Sequence, residues 1–274
     1  MKNIFLSIFV CILSIGGLLS CGLEEYYYMD YIPEGDYRDV NSATIRLPAS
    51  SRAGYGERSS GGYFSNFVIY YRIYISDIPF IGRIDETTRS SVNSTLNSDF
   101  NTLSSYTNIT STDVSTSNLE TRFFNLKYYK LLLADRNIDT FLGRNSLNQT
   151  LTIHFPPNTG EEPTLVLGDR DPVIGDNAFI LRRATDGPNI IFSPKPNSPE
   201  GLFRTFLNHP ELYDKGNVNN ENNADVATNT KNVEMRYTYV SMYIMAVGLT
   251  GETPPKTIYS QPAFLGTFML AEAP

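Results

Sequence analysis

Residues 67–75 constrain this chain more than any other stretch. They read Phe67-Val68-Ile69-Tyr70-Tyr71-Arg72-Ile73-Tyr74-Ile75, with no glycine, no proline and a single charge. β-Branched and aromatic side chains suit a pleated, packed surface, so the run predicts a strand. A strand alternates its side chains between two faces. One face here would carry Phe67, Ile69, Tyr71, Ile73 and Ile75, the other Val68, Tyr70, Arg72 and Tyr74. Both faces are apolar, which requires cover on both sides. Residues 237–248 repeat the pattern, with Val240, Met242, Ile244 and Ala246 on one side and Tyr239, Tyr243, Met245 and Val247 on the other.

The cover is also legible. Val92, Leu96, Phe100 and Leu103 fall on one stripe at helical spacing, which predicts a helix over residues 88–106 lying on the second face of the first strand. That segment is rich in Ser, Asn and Thr, so packing rather than propensity must hold it. Shorter strands are predicted at residues 44–47, 122–133, 151–155, 164–167, 179–182 and 190–192, and a helical turn at 203–207. Residues 156–160, Pro-Pro-Asn-Thr-Gly, mark a turn between two of them. Residues 49–62, 108–118 and 214–232 read as polar loops or linkers. The expectation is a mainly β body.

The N-terminus carries the most specific motif. Met1-Lys2-Asn3 precedes an apolar stretch over residues 4–19, shorter than a comfortable membrane span. It ends in Leu18-Leu19-Ser20-Cys21-Gly22. Leu18, Ser20 and Cys21 resemble the lipobox of bacterial lipoproteins; Leu19 departs from it, because a small residue is commoner there. The resemblance implies cleavage between Ser20 and Cys21, with lipid attached to the Cys21 sulfur. The whole pattern is also similar to lipoproteins of spirochaete type. The domains expected are a signal peptide over 1–20, a lipidated tether over 21–41 and a single domain over 42–274. Cys11 would leave with the signal, so the two cysteines of the chain could form no disulfide in the mature protein. Tyrosines at 26, 27, 28, 31 and 37 either sit at headgroup level beside the lipid or belong to a first edge strand. The implied location is the bacterial cell envelope, anchored to a membrane on the periplasmic or surface side.

The run from Tyr239 to Val247, a glycine-containing loop and Ser260-Gln261-Pro262 resemble the last two strands of a fibronectin type III domain. The strand around Ile69-Tyr70-Tyr71-Arg72 is similar to that family's third. The likeness implies a two-sheet antiparallel sandwich, here with the inserted helix and long polar loops. One departure is plain: Val240 stands where the family has its corner tyrosine.

Chemistry is sparse. A formal charge of −7 without a basic cluster argues against a nucleic-acid partner. The two histidines, His154 and His209, read as structural or exposed rather than catalytic, and no hydrolase, thiol or phosphate-loop motif occurs. No cofactor is expected. Asp169, Asp171 and Asp176 cluster in one turn, a weak calcium candidate beside the plainer reading of a solvated acidic loop. With eighteen tyrosines, a rigid amphipathic surface for a protein or glycan ligand is conceivable, as is a tyrosine-filled core. Two functions follow: a non-enzymatic binding, adhesion or structural module, or an envelope-anchored, glycosidase-like hydrolase using paired carboxylates.

Overall fold

A computed structural model describes residues 39–40, 44–47, 63–76, 83–84, 94–104, 116–134, 137–143, 148–155, 162–168, 178–184, 203–204, 206, 226–227, 237–251 and 253–272. In chain order these form β1 (Asp39–Val40), β2 (Thr44–Leu47), β3 (Tyr63–Ser76), β4 (Arg83–Ile84), α1 (Ser94–Ser104), α2 (Thr116–Asn125), β5 (Tyr129–Lys130), β6 (Leu132–Leu133), α3 (Asp139–Leu142), β7 (Leu151–His154), β8 (Thr164–Leu167), β9 (Ala178–Ala184), β10 (Phe203–Arg204), β11 (Val226–Ala227), β12 (Tyr237–Leu249), β13 (Thr257–Tyr259) and β14 (Ala263–Glu272). Strand outweighs helix, 56% to 21% of the described residues, so the fold is mainly β.

Two sheets carry it. The inner sheet runs β11-β3-β12-β14-β4, with β13 also on β12 and β5 also on β3; the outer runs β1-β2-β7-β8-β9-β10, with β6 on β9. One sheet curls into a half-barrel. The pairing at the centre is the longest. β3 lies against β12 from Tyr63↔Leu249 to Ser76↔Tyr237. The other edge of β12 is taken by β14 and β13 in succession. Between those two strands Ser260 keeps the ladder intact. Its N–H donates to the Ala246 carbonyl at 2.9 Å, and its Oγ accepts the Ala246 N–H at 2.9 Å.

The two faces of β3 and β12 meet different partners. Phe67, Ile69, Tyr71, Ile73, Val240 and Met242 join one apolar cluster with outer-sheet residues such as Ile45, Ile153 and Leu181. Val68, Tyr70, Tyr74, Tyr239 and Tyr243 join a second with Leu96, Phe100 and Leu103 of α1 and Leu119 and Phe123 of α2. Two hydroxyls of helix α1 bond back to its own backbone: Thr102 Oγ1 donates to the Ser98 carbonyl at 2.9 Å, and Ser104 Oγ to that of Phe100. Residues 129–133 stitch the sheets together, because β5 pairs with β3 while β6 pairs with β9. Among the described residues no helix is long and apolar enough to cross a membrane.

Several expectations are corrected. The predicted strand over 122–133 is helix as far as Asn125, because Leu119 and Phe123, four residues apart, bury on one side against the sheet. Packing there outweighs the β preference of the aromatic residues. A turn with Lys127 at φ 59° follows, then β5 and β6. Residues 203–204 pair with β9 rather than form a helical turn. The segment 214–232 contains β11, which pairs with β3 in parallel, so the inner sheet is not purely antiparallel. Residues 39–40 of the expected tether form β1 on the edge of β2. The expected strand at 190–192 lies outside the described residues.

Candidate functional site

Two places concentrate polar groups, and they differ in access. The first lies between α1 and the inner sheet. Arg72 interrupts the helix-facing side of β3, and Asp99 interrupts the buried stripe of α1. Arg72 Nη1 donates to Asp99 Oδ2 at 2.5 Å. Tyr74 Oη donates to the same oxygen at 2.5 Å, and the hydroxyls of Tyr74 and Tyr128 lie 2.8 Å apart. Burial pushes the Asp99 carboxyl above the usual carboxylate range, outweighing the pull of the Arg72 charge and of the two hydrogen bonds. Burial likewise holds Tyr74 and Tyr128 protonated well past their ordinary value. Asp99, Tyr74 and Tyr128 are all buried. This is a clamp between helix and sheet, without access for a substrate.

The second place is a cleft of about 260 Å³ at the outer edge of β3. It forms because the chain arches away from that edge and returns to it. Leu131 N–H donates to the Ile69 carbonyl at 2.8 Å. The chain then crosses to the outer sheet through β6, turns through α3, and comes back where Gly143 bridges Asn66. Asn137 shapes the turn: its Oδ1 accepts the Asp139 N–H at 2.9 Å. Gly143 is the return point for a steric reason, since a Cβ there would stand 2.8 Å from the Asp139 carbonyl oxygen. Val68, Ile69, Leu131, Leu142 and Val247 give the cleft a buried apolar wall. Asn137 and Asp139 are exposed, and Asn66 and Lys130 half-buried, so its rim is polar. Asn66 Nδ2 donates to the Phe67 carbonyl at 3.0 Å and reaches Asp139 Oδ1 at 3.4 Å. The Lys130 ammonium stands 6.0 Å from the centroid of the Tyr70 ring. The lining residues bring no nucleophile and base together.

The residues singled out from sequence fare unevenly. Ser20 and Cys21 lie outside the described residues, as do Asp169, Asp171, Asp176 and His209. Among the described residues no three of His, Cys, Asp and Glu gather into a metal site. His154 ends β7, its Nδ1 3.2 Å from Thr44 Oγ1 across the β2–β7 pair, a structural position. Asp99 is held by Arg72 and Tyr74, Asp139 faces Asn66, and Glu162 pairs with Arg182 at 3.0 Å. The partners of these three carboxyls are cations, a phenol and an amide, not one another. Tyr70, Tyr71, Tyr74, Tyr128, Tyr239 and Tyr243 are core, whereas Tyr63 is 65% exposed. Most of the described strand tyrosines are therefore core. Asn66, Lys130, Asn137 and Asp139 were not singled out; the only local hint was Asn137 two residues before Asp139, with a glycine at 143. No protein-family model matches the chain, and comparison with curated proteins and with solved structures finds no similar protein.

Proposed function

We propose that this chain is a lipid-anchored envelope lipoprotein whose body is a non-enzymatic binding module. The anchor rests on Leu18, Ser20 and Cys21 in lipobox spacing behind an apolar stretch. Binding is favoured over hydrolysis by one observation: the accessible polar groups rim an apolar cleft, while of the two described carboxyls with raised affinity for a proton Asp99 is sealed under α1 and Glu162 is tied to Arg182. The body is read as a two-sheet sandwich related to the fibronectin type III architecture, carrying an added pair of helices. The neighbour order β3-β12-β14 supports this, since the third, sixth and seventh strands of that architecture share a sheet in that order.

Growth with labelled palmitate, followed by protease shaving of intact cells, tests the reading. Label is expected on the wild-type chain and absent from Cys21→Ala, with loss of the chain on shaving if it faces outward. Label that persists in Cys21→Ala would falsify the anchor.

A further inference from the structure

Three buried polar atoms on the helix-facing side of the inner sheet make no hydrogen bond among the described residues: Arg72 Nε, Ser241 Oγ and Thr267 Oγ1. They are not scattered. β12 sets Ser241 opposite Arg72 of β3 on one edge and opposite Thr267 of β14 on the other. All three project from the same face. Arg72 alternates with Ile73, Ser241 with Val240 and Met242, and Thr267 with Phe268, and those neighbours belong to the opposite cluster. The row therefore crosses three adjacent strands, its neighbouring positions about 5 Å apart. Ser241 is 1% exposed and Thr267 0%. Hydroxyls facing each other on adjacent strands can bond directly; these two do not. The Tyr128 phenol is close enough to feel the Ser241 hydroxyl, yet the two complete no hydrogen bond. Buried side-chain polar atoms in folded proteins are paired in the large majority of cases, because an orphan keeps the full cost of leaving water. Three in one row call for a shared partner.

We infer that this row holds at least one internal water, hydrogen-bonded to the Ser241 and Thr267 hydroxyls, in a chain that ends at Arg72 Nε. The donor and acceptor inventory fits. A guanidinium only donates, whereas each hydroxyl donates and accepts. Two hydrogen bonds from one oxygen span roughly 5 Å, the separation of neighbouring strand positions. The occupant is neutral, because the Arg72 charge is already met by Asp99 at 2.5 Å and a second buried anion would lack a cation of its own. A polar site with two to four partners is where buried water is found. The chain extends the line Arg72, Asp99, Tyr74, Tyr128 and ties the clamp under α1 to β14. The row shares no residue with the lining of the cleft, so it goes beyond the binding reading and does not rest on it.

Oxygen-17 relaxation dispersion of water, recorded on the full chain in detergent, tests it, since the amplitude reads long-lived internal waters. Ser241→Ala/Thr267→Val is expected to lose the contribution of at least one such water, and Thr267→Ser to keep it. Should the double variant fail to fold, Thr267→Val alone carries the comparison with Thr267→Ser. Urea unfolding adds a sign. With water in place, Ser241→Ala and Thr267→Val each remove a hydrogen-bond partner and are expected to lower the folding constant roughly 5-fold. In a dry row the same changes delete an unpaired hydroxyl and raise it. An unaltered dispersion in Ser241→Ala/Thr267→Val overturns the proposal, as does a gain in its stability. A chloride-dependent stabilisation of the wild type that the double variant lacks also overturns it, and assigns the row to an anion.

Discussion

Arg72 is the one charge on its face of β3, and Asp99 the one charge among the buried positions of α1. Removing two charges from water costs more than their attraction returns unless the geometry is good and further hydrogen bonds are made. Burial raises the proton affinity of Asp99, whereas around Arg72 the neighbouring charges outweigh burial and favour the guanidinium. Arg72→Met alone is expected to lose about 3–5 kcal/mol at neutral pH, since it strands a carboxylate beneath a helix. The sign of the pH effect follows. The folded variant takes up a proton at higher pH than the unfolded chain, so its stability falls as pH rises through that window and the deficit shrinks toward acid. Urea unfolding at pH 4.5 and 7.5 measures both. The double variant Arg72→Met/Asp99→Leu is expected to match the wild type or exceed it by about 1–4 kcal/mol. At Ser260 the expectation is simpler. Ser260→Ala leaves the buried Ala246 N–H without the oxygen it donates to, a loss of about 1–3 kcal/mol readable in the same titration. None of these partnerships was legible beforehand: Arg72 and Asp99 are 27 residues apart, and periodicity places residues on faces without saying which break meets which.

Elements were legible in proportion to how far their pattern is carried by one local period. β3 and β12 announce both faces, and the structure sorts their side chains between two clusters as that alternation requires. Helix α1 shows through Leu96, Phe100 and Leu103 despite its polar composition. Helix α2 does not, because Phe123, Phe124, Tyr128 and Tyr129 look like strand material and only the Leu119–Phe123 spacing speaks for a helix. Phe123 is nonetheless central to the helix-side cluster. Its ring stacks on Tyr70 at 4.4 Å and meets Tyr128 and Tyr243 edge-on at 5.6 and 6.0 Å. Phe123→Ala is expected to cost about 3–5 kcal/mol in chemical unfolding. The arch behaves differently. Gly143→Ala drives a methyl into the Asp139 carbonyl, and overpacking of this kind costs about 1–3 kcal/mol. The cleft itself escaped sequence reasoning because Asn66 and Asp139 are brought together across 73 positions.

For the whole molecule, the proposed anchor governs where the body works. A single acyl chain holds a protein only reversibly, whereas two or more bury enough methylene groups, at about 0.8 kcal/mol each, to make release very slow. Cys21→Ala is expected to move the chain from detergent-extracted membranes to the soluble fraction, checked by fractionation and immunoblotting.

The alliance of β3 with β12 also imposes an order of events. Ser76 must wait for Tyr237, and Tyr63 for Leu249, so the central ladder of an emerging polypeptide cannot close until its last stretch is available. Contacts so distant in sequence form slowly. A chain arrested after residue 232 is expected to remain open to proteolysis in pulse experiments, where the complete one resists. Under the proposed export route, late closure keeps the chain slack for passage across a membrane.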